Sequence, residues 1–170
     1  MTEAHIVLAD GTVFEARSVG APGIATGEAV FTTGMTGYEE VLSDPSYCAQ
    51  LVTMTAPQIG NTGVNGEDLE SEKPFLSGLI VHEMARMTSN WRMQQSLPDY
   101  LKSRGIVAVD GVDTRSLTRH IRDQGAQMAA MGSAPISELL AAAKAAPPME
   151  GRDLSAVVST EVSYEKTSSP

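Results

Sequence analysis

The 170-residue chain contains a single cysteine, Cys48, so no disulfide can form within it. A lone thiol suits a reducing compartment, and a cytoplasmic location is expected. There are only three histidines, and His5, His82 and His120 form with Cys48 none of the close CxxC or HxxxH pairings of a structural zinc site. The longest uninterrupted apolar run is residues 139–143, far short of a membrane span. The first residues carry Glu3 and Asp10 with no positive stretch ahead of an apolar one, so they do not read as a secretory signal. Basic residues are nearly missing from the first part of the chain. Residues 1–72 hold eleven acids and one base, Arg17, whereas residues 73–170 hold ten acids and eleven bases. The net charge of −9 therefore originates in the first 72 residues, and phosphate repulsion argues against a nucleic-acid surface there.

The chain is otherwise ordinary for a folded protein, with 42% apolar and 19% charged residues. Its length suits one domain, which buries roughly 70% of the surface exposed by the unfolded chain. Residues 4–9 and 12–19 read as strands joined by an Asp10-Gly11 hairpin turn. Residues 20–27 read as a loop, 29–33 as a strand, 38–42 as a helical turn stopped by Asp44-Pro45, and 49–55 as another strand. Residues 58–73 form an expected long loop with an acidic run, Glu67, Asp68, Glu70 and Glu72. A strand over 76–84 and a short helix over 89–95 follow. Ser96 with Asp99 opens a second helix that Gly105 ends. A strand at 106–109, a helix from Asp113 to Gly125, a strand at 126–131 and a helix capped by Ser133 complete the pattern. Early hairpin character followed by strand–helix alternation predicts a mixed α/β domain. Its antiparallel part is expected from the N-terminal half and its parallel part from the C-terminal half.

The candidate chemistry is sparse. Cys48 lacks a Gly-x-Cys-x-Gly elbow and reads as a small buried hydrophobe. Ser46, His120 and Asp113 make a triad only on paper, since no Gly-x-Ser-x-Gly supports them. The acidic run lacks the spacing of a calcium loop and reads as a solvated face. No dinucleotide fingerprint or Walker A sequence occurs, and Gly60-Asn-Thr-Gly63 alone is a weak anion signal. The sharpest feature is Arg115, Arg119 and Arg122, spaced i, i+4, i+7, so that they share one helix stripe opposite Leu117 and Ile121. Such a stripe can grip a carboxylate-rich partner surface, although a solvated amphipathic face is the ordinary alternative. Asp44-Pro45-Ser46-Tyr47 is a turn with Ser46 presented at its tip.

A set of segments in chain order carries a resemblance. They are Leu8-Ala-Asp-Gly-Thr12, Phe31-Thr-Thr-Gly-Met-Thr-Gly-Tyr-Glu-Glu40, Asp44-Pro-Ser-Tyr47, Gln50-Leu-Val-Thr-Met-Thr55, Ile59-Gly-Asn-Thr-Gly-Val-Asn65, Ser89-Asn-Trp-Arg92 and Asp113-Thr-Arg-Ser-Leu-Thr-Arg119. The run resembles the N-terminal domain of the small, glutamine-hydrolysing subunit of carbamoyl-phosphate synthase. The resemblance implies a swivelling three-layer β/β/α domain with mixed parallel and antiparallel sheets over residues 1–152. Residues 153–170 would then be a terminal segment and linker toward a glutamine amidotransferase domain carrying a Cys–His–Glu triad. It further implies docking to the large subunit, enclosure of an ammonia path, and service to arginine and pyrimidine synthesis. Ser46 matches the family serine that reaches the bound glutamine, and Arg115, Arg119 and Arg122 become candidates for docking the large subunit. No catalytic residue, metal or cofactor is expected in this domain, because ATP and magnesium belong to the large subunit. Nucleic acid and membrane are not expected partners. The 170 residues alone should not hydrolyse glutamine. A stand-alone binding or scaffold module of the same fold is the alternative reading.

Overall fold

The computed structural model describes residues 2–71 and 73–160. Strand β1 (Thr2–Leu8) and strand β2 (Val13–Ser18) form the expected hairpin. At its turn the Leu8 amide donates to the Thr12 carbonyl at 2.9 Å, and Gly11 takes a φ of 94° that favours glycine. Strand β3 (Ile24–Thr32) begins inside the stretch expected to be a loop. Its partner explains this, since Ile24 to Ala29 pair antiparallel with strand β9 (Gln127–Gly132), a contact that no local pattern encodes.

Helix α1 (Tyr38–Ser43), a 3₁₀ turn (Pro45–Tyr47) and strand β4 (Gln50–Met54) follow. The expected strand over 76–84 is two strands in two sheets. Strand β6 (Gly78–Ile80) joins the main sheet, while strand β7 (Glu83–Met84) pairs with strand β5 (Gln58–Ile59). His82 stands between them, outside any strand. Helix α2 (Leu97–Ser103) is capped as its sequence predicts. The Ser96 hydroxyl accepts from the Asp99 amide at 3.2 Å and donates to the Asp99 carboxylate at 2.6 Å.

Strand β8 (Val107–Asp110) and helix α3 (Thr114–Gln124) come next. The Asp113 carboxylate caps α3 by accepting from the Ser116 amide at 2.9 Å, and Gly125 closes its C-terminus. Helix α4 (Ile136–Ala145) has Pro135 in its cap position, with no side-chain cap bond from the expected Ser133. Helix α5 (Leu154–Val158) occupies part of the expected linker, and residues 161–170 of that linker lie outside the described residues.

The seven long strands close into a barrel in the order β1-β2-β8-β6-β4-β3-β9. The run β3-β4-β6-β8 is parallel, and the four pairings made by β1, β2 and β9 are antiparallel. The mixed α/β class is as expected, but the two pairing types are not divided between the halves of the chain. Parallel strands are buried on both faces. In β4, Leu51 points into the barrel interior with Ile6, Leu8, Ala29, Ile80, Val109 and Met131. Val52 and Met54 point outward into a second core with Tyr38, Leu42, Leu97, Tyr100 and Leu101. Leu117 and Ile121 of α3 belong to the interior cluster, and α4 covers Val7 and Ala130 from outside. Among the described residues no helix is long and apolar enough to cross a membrane.

Two features pin the β2–β8 seam. Arg17 and Asp110 are register partners, and the guanidinium Nε donates to the buried carboxylate at 2.9 Å. The sole base of the first 72 residues thus neutralises a buried acid. Beyond β2, the amides of Val19 and Ala21 donate to the carbonyls of Ala108 and Ile106. A Cβ at Gly20 would lie 2.5 Å from the Ile106 oxygen and 2.6 Å from the Ala108 nitrogen, both backbone atoms. Gly20→Ala is therefore expected to cost about 2 kcal/mol in urea unfolding. Gly105→Ala, at a φ of 70° with open space around it, should cost only about 1 kcal/mol. Equal losses would show that the close approach is not what requires glycine at position 20.

Candidate functional site

The turn that carries Ser46 is built by its neighbours. The Asp44 carboxylate accepts from the Ser46 amide at 2.7 Å, Pro45 sets the first φ, and the Cys48 amide donates to the Pro45 carbonyl at 3.0 Å. Ala49 then takes a left-handed φ of 63° before β4 begins. Ser46 is exposed, and its hydroxyl has no hydrogen-bond partner among the described residues. Cys48 is buried, bridging to Leu76, as expected for a thiol that packs rather than reacts.

The paper triad does not assemble. His120 Nε2 lies 2.7 Å from the Asp10 carboxylate on the β1–β2 turn, while Asp113 is occupied by the α3 cap. His82 Nδ1 contacts the Val112 carbonyl at 2.8 Å, and His5 lies 3.5 Å from Glu3.

Three of the resemblance segments meet at one network, buried at Glu39 and Asn65 and open to solvent at Glu67. Its centre is Asn65, whose amide group is fully used. The Asn65 backbone N–H and Nδ2 both donate to the Glu39 carboxylate, at 2.8 and 3.2 Å, and Nδ2 also donates to Asp68 at 2.9 Å. Asn65 Oδ1 accepts from the Glu67 amide at 2.9 Å and from Arg92 Nη2 at 3.3 Å. Arg92 also donates to Asp68 at 2.7 Å and to Glu67 at 3.0 Å. Nearby, the Tyr38 hydroxyl donates to the Gly63 carbonyl and meets the Thr62 hydroxyl at 2.7 Å.

The acidic run is solvated as expected, with Glu67 and Glu70 exposed, yet it is not free of partners; Glu72 lies outside the described residues. Two of its members hold Arg92, and the Glu70 amide donates to the Ser43 hydroxyl at 2.8 Å. Residues 89–95 do not form the expected helix. Asn90 instead accepts from the Arg92 amide at 2.8 Å, a local bond that competes with helix formation, and Val64 exchanges backbone bonds with Gln94 and Gln95. Trp91 is left 92% exposed beside this network. Sequence reasoning missed the network because the contacts that join its three segments span 24 to 27 residues. A usable signal was the concentration of Asn, Gly and Tyr in the two segments.

Arg115, Arg119 and Arg122 are all exposed on α3, with Leu117 and Ile121 buried on its other side, as the spacing predicts. They line a groove with Thr33, Thr55, Thr114 and Thr118. Ser46 is not part of that groove, so the two expected functional features occupy separate places.

Burial raises the Glu39 pKa above the ordinary value of 4.5, helped by the Asp68 and Glu40 charges and opposed by the Asn65 and Arg92 contacts. Asp68 shifts the other way, because it accepts from Asn65 and Arg92. A carboxyl with a raised folded-state pKa contributes stability that is present below its unfolded value and lost as pH rises through the folded one. The stability of the native chain relative to Glu39→Gln is therefore expected to fall as pH rises above 4.5. Denaturant unfolding of both proteins across that window measures it, and a difference that stays constant or grows would contradict the raised pKa.

A family model described as carbamoyl-phosphate synthase small chain, CPSase domain, matches residues 6–131. The carbamoyl phosphate synthase small chain of Xanthomonas campestris is 52% identical over 164 residues, which cover 95% of this chain and 44% of that protein. The small chain of a Synechococcus species is 53% identical over 164 residues, covering 95% and 42%. That of Syntrophotalea carbinolica is 50% identical over 170 residues, covering 99% and 45%. The chain spans less than half the length of these curated relatives. At this identity, over nearly all of its residues, the chain belongs to the carbamoyl-phosphate synthase small chain family.

Proposed function

We propose that these residues act as the N-terminal domain of the small subunit of a glutamine-hydrolysing carbamoyl-phosphate synthase. In this reading the domain docks the large subunit, contributes Ser46 to the glutamine pocket and helps enclose the ammonia path. The product serves arginine and pyrimidine synthesis in the cytoplasm. The Cys–His–Glu triad belongs to an amidotransferase domain outside these residues, and ATP and magnesium belong to the large subunit. The 170 residues by themselves carry no glutaminase activity in this reading. The mixed α/β architecture is compatible with the swivelling β/β/α domain of this reading.

The observation that supports the glutamine role is the presentation of Ser46. Its amide is tied back by Asp44, its hydroxyl is outward and unpartnered, and the turn beneath it is anchored by buried Cys48. An exposed hydroxyl on a rigid turn is suited to complete a pocket whose other wall is a second domain. Such a hydroxyl donates to, or accepts from, a bound amino acid with little cost of ordering. The docking role rests on the arginine stripe, which presents three guanidinium forks to a carboxylate-rich surface.

Two outcomes check this reading in the complete two-subunit enzyme. Ser46→Ala is expected to raise the glutamine KM about fivefold, the effect of one lost hydrogen bond, with kcat changed less than about twofold. An unchanged KM removes Ser46 from the pocket. The double charge reversal Arg115→Glu/Arg119→Glu is expected to weaken subunit association about tenfold or more and to flatten its salt dependence. Association that is unchanged at low salt removes the stripe from the interface.

A further inference from the structure

Along the helix, Arg115, Arg119 and Arg122 are a stripe; in three dimensions they are one wall of a concave groove of roughly 490 Å3. The rest of the lining is four threonines, two from beyond the helix and two from the helix itself. Thr33 and Thr55 follow directly on the C-terminal ends of β3 and β4, which run parallel and are tied there by the Thr55 amide donating to the Thr32 carbonyl at 3.1 Å. The C-terminal ends of parallel strands are where α/β sheets commonly receive ligands. Thr114 and Thr118 come from α3 itself.

The groove is chemically one-sided. None of its lining residues is a carboxylate. Among the described residues Arg115 and Arg119 have no ion pair, and Arg122 meets only its exposed neighbour Asp123 at 3.1 Å. Arg17 and Arg92, by contrast, are both committed to acids.

The hydroxyls are also unspent. Thr114 is 6% exposed, and its hydroxyl has no partner among the described residues. The Thr118 hydroxyl is shielded from solvent and likewise unpaired. A threonine within a helix ordinarily returns its hydroxyl to a carbonyl one turn back, which Thr118 does not, and buried polar groups are nearly always paired. A ligand rich in oxygen acceptors suits a groove that holds three cations, no acid and hydroxyls without partners.

We propose that this groove binds an oxyanion of the phosphate class, either inorganic phosphate or the phosphate group of a small monoester. A tetrahedral group with charge of about −1.5 to −2 offers three terminal oxygens to share among guanidinium forks and hydroxyl donors. A single carboxylate offers two oxygens and one charge, fewer than the groove can use. The volume exceeds that of phosphate and leaves room for a small esterified group. The site goes beyond the docking role of the same arginines, since docking by charge needs the guanidinium groups and not the threonine hydroxyls.

Calorimetric titration of the 170-residue chain with inorganic phosphate, ribose 5-phosphate and acetate, at matched ionic strength, tests it. Saturable one-to-one binding is expected for the two phosphates and none for acetate. Tighter binding of ribose 5-phosphate assigns the site to monoesters, and equal binding assigns it to the free ion. Arg119→Gln, at an exposed position, and Thr118→Val, which keeps the shape and all three arginines, are each expected to weaken phosphate binding about tenfold. Thr118→Val should leave association with the large subunit unchanged, whereas the double charge reversal loses both. The proposal is overturned if no saturable binding occurs, if acetate reproduces it, or if it survives Arg119→Gln in a protein with native circular dichroism. Loss of docking on charge reversal without any phosphate binding would overturn the anion site alone and leave the docking role standing.

Discussion

Strand β9 is bonded along both edges, antiparallel to β1 on one side and to β3 on the other, and the barrel exists because of that double pairing. Without it the sheet would end in two free edges, each a row of unpaired amides and carbonyls. Closure demands small residues where backbones crowd together. Ala129 and Ala130 are fully buried on opposite faces of β9, and Gly132 at its end takes a φ of 150° against Gly23. Gly27 in β3 answers the same demand, because a Cβ there would lie 2.6 Å from the Ala49 carbonyl oxygen. Once the barrel is closed, α3 has one place to bury Leu117 and Ile121, against the interior cluster. Its arginines are thereby turned outward beside the ends of β3 and β4.

Charge is distributed by the fold rather than by segment. The acid-rich first 72 residues receive one cation from within, Arg17, and spend it on buried Asp110 of β8. Their loop acids Glu67 and Asp68 are met by Arg92 from a later segment. Buried Glu39 instead leans on the Asn65 amides, so burial dominates its titration. The α3 arginines take no part in these pairings, and they gather where no carboxylate lines the groove. The chain's negative net charge is thus compatible with a strongly cationic local surface.

The strengths and gaps of reading the sequence have a common cause. The Asp10-Gly11 hairpin, the Ser96 and Asp113 caps, the Gly105 and Gly125 stops and the two-sided character of α3 are all determined within a few residues. They are legible because the groups that satisfy one another are neighbours in the chain. The loop over 58–73 was legible only as irregular, since its order comes from Glu39, Tyr38 and Arg92 outside it. Ser89-Asn-Trp-Arg92 looked helical because the Asn90 turn and the Val64 bonds that replace the helix are a side-chain and a tertiary matter.

By itself, then, the sequence determined the turn that exposes Ser46, the burial of Cys48, the helix that carries the three arginines and the family to which the chain belongs. Local hydrogen bonds and helical periodicity suffice for the structural features, and recurring motifs in order suffice for the family. Tertiary structure alone decided that Thr33 and Thr55 stand beside those arginines, that Asn65 seals Glu39, and that Ser46 lies outside the arginine groove. These depend on which strands pair across the barrel, and that choice is made by burying two faces of a closed sheet at once. No stretch of the chain records such a choice on its own.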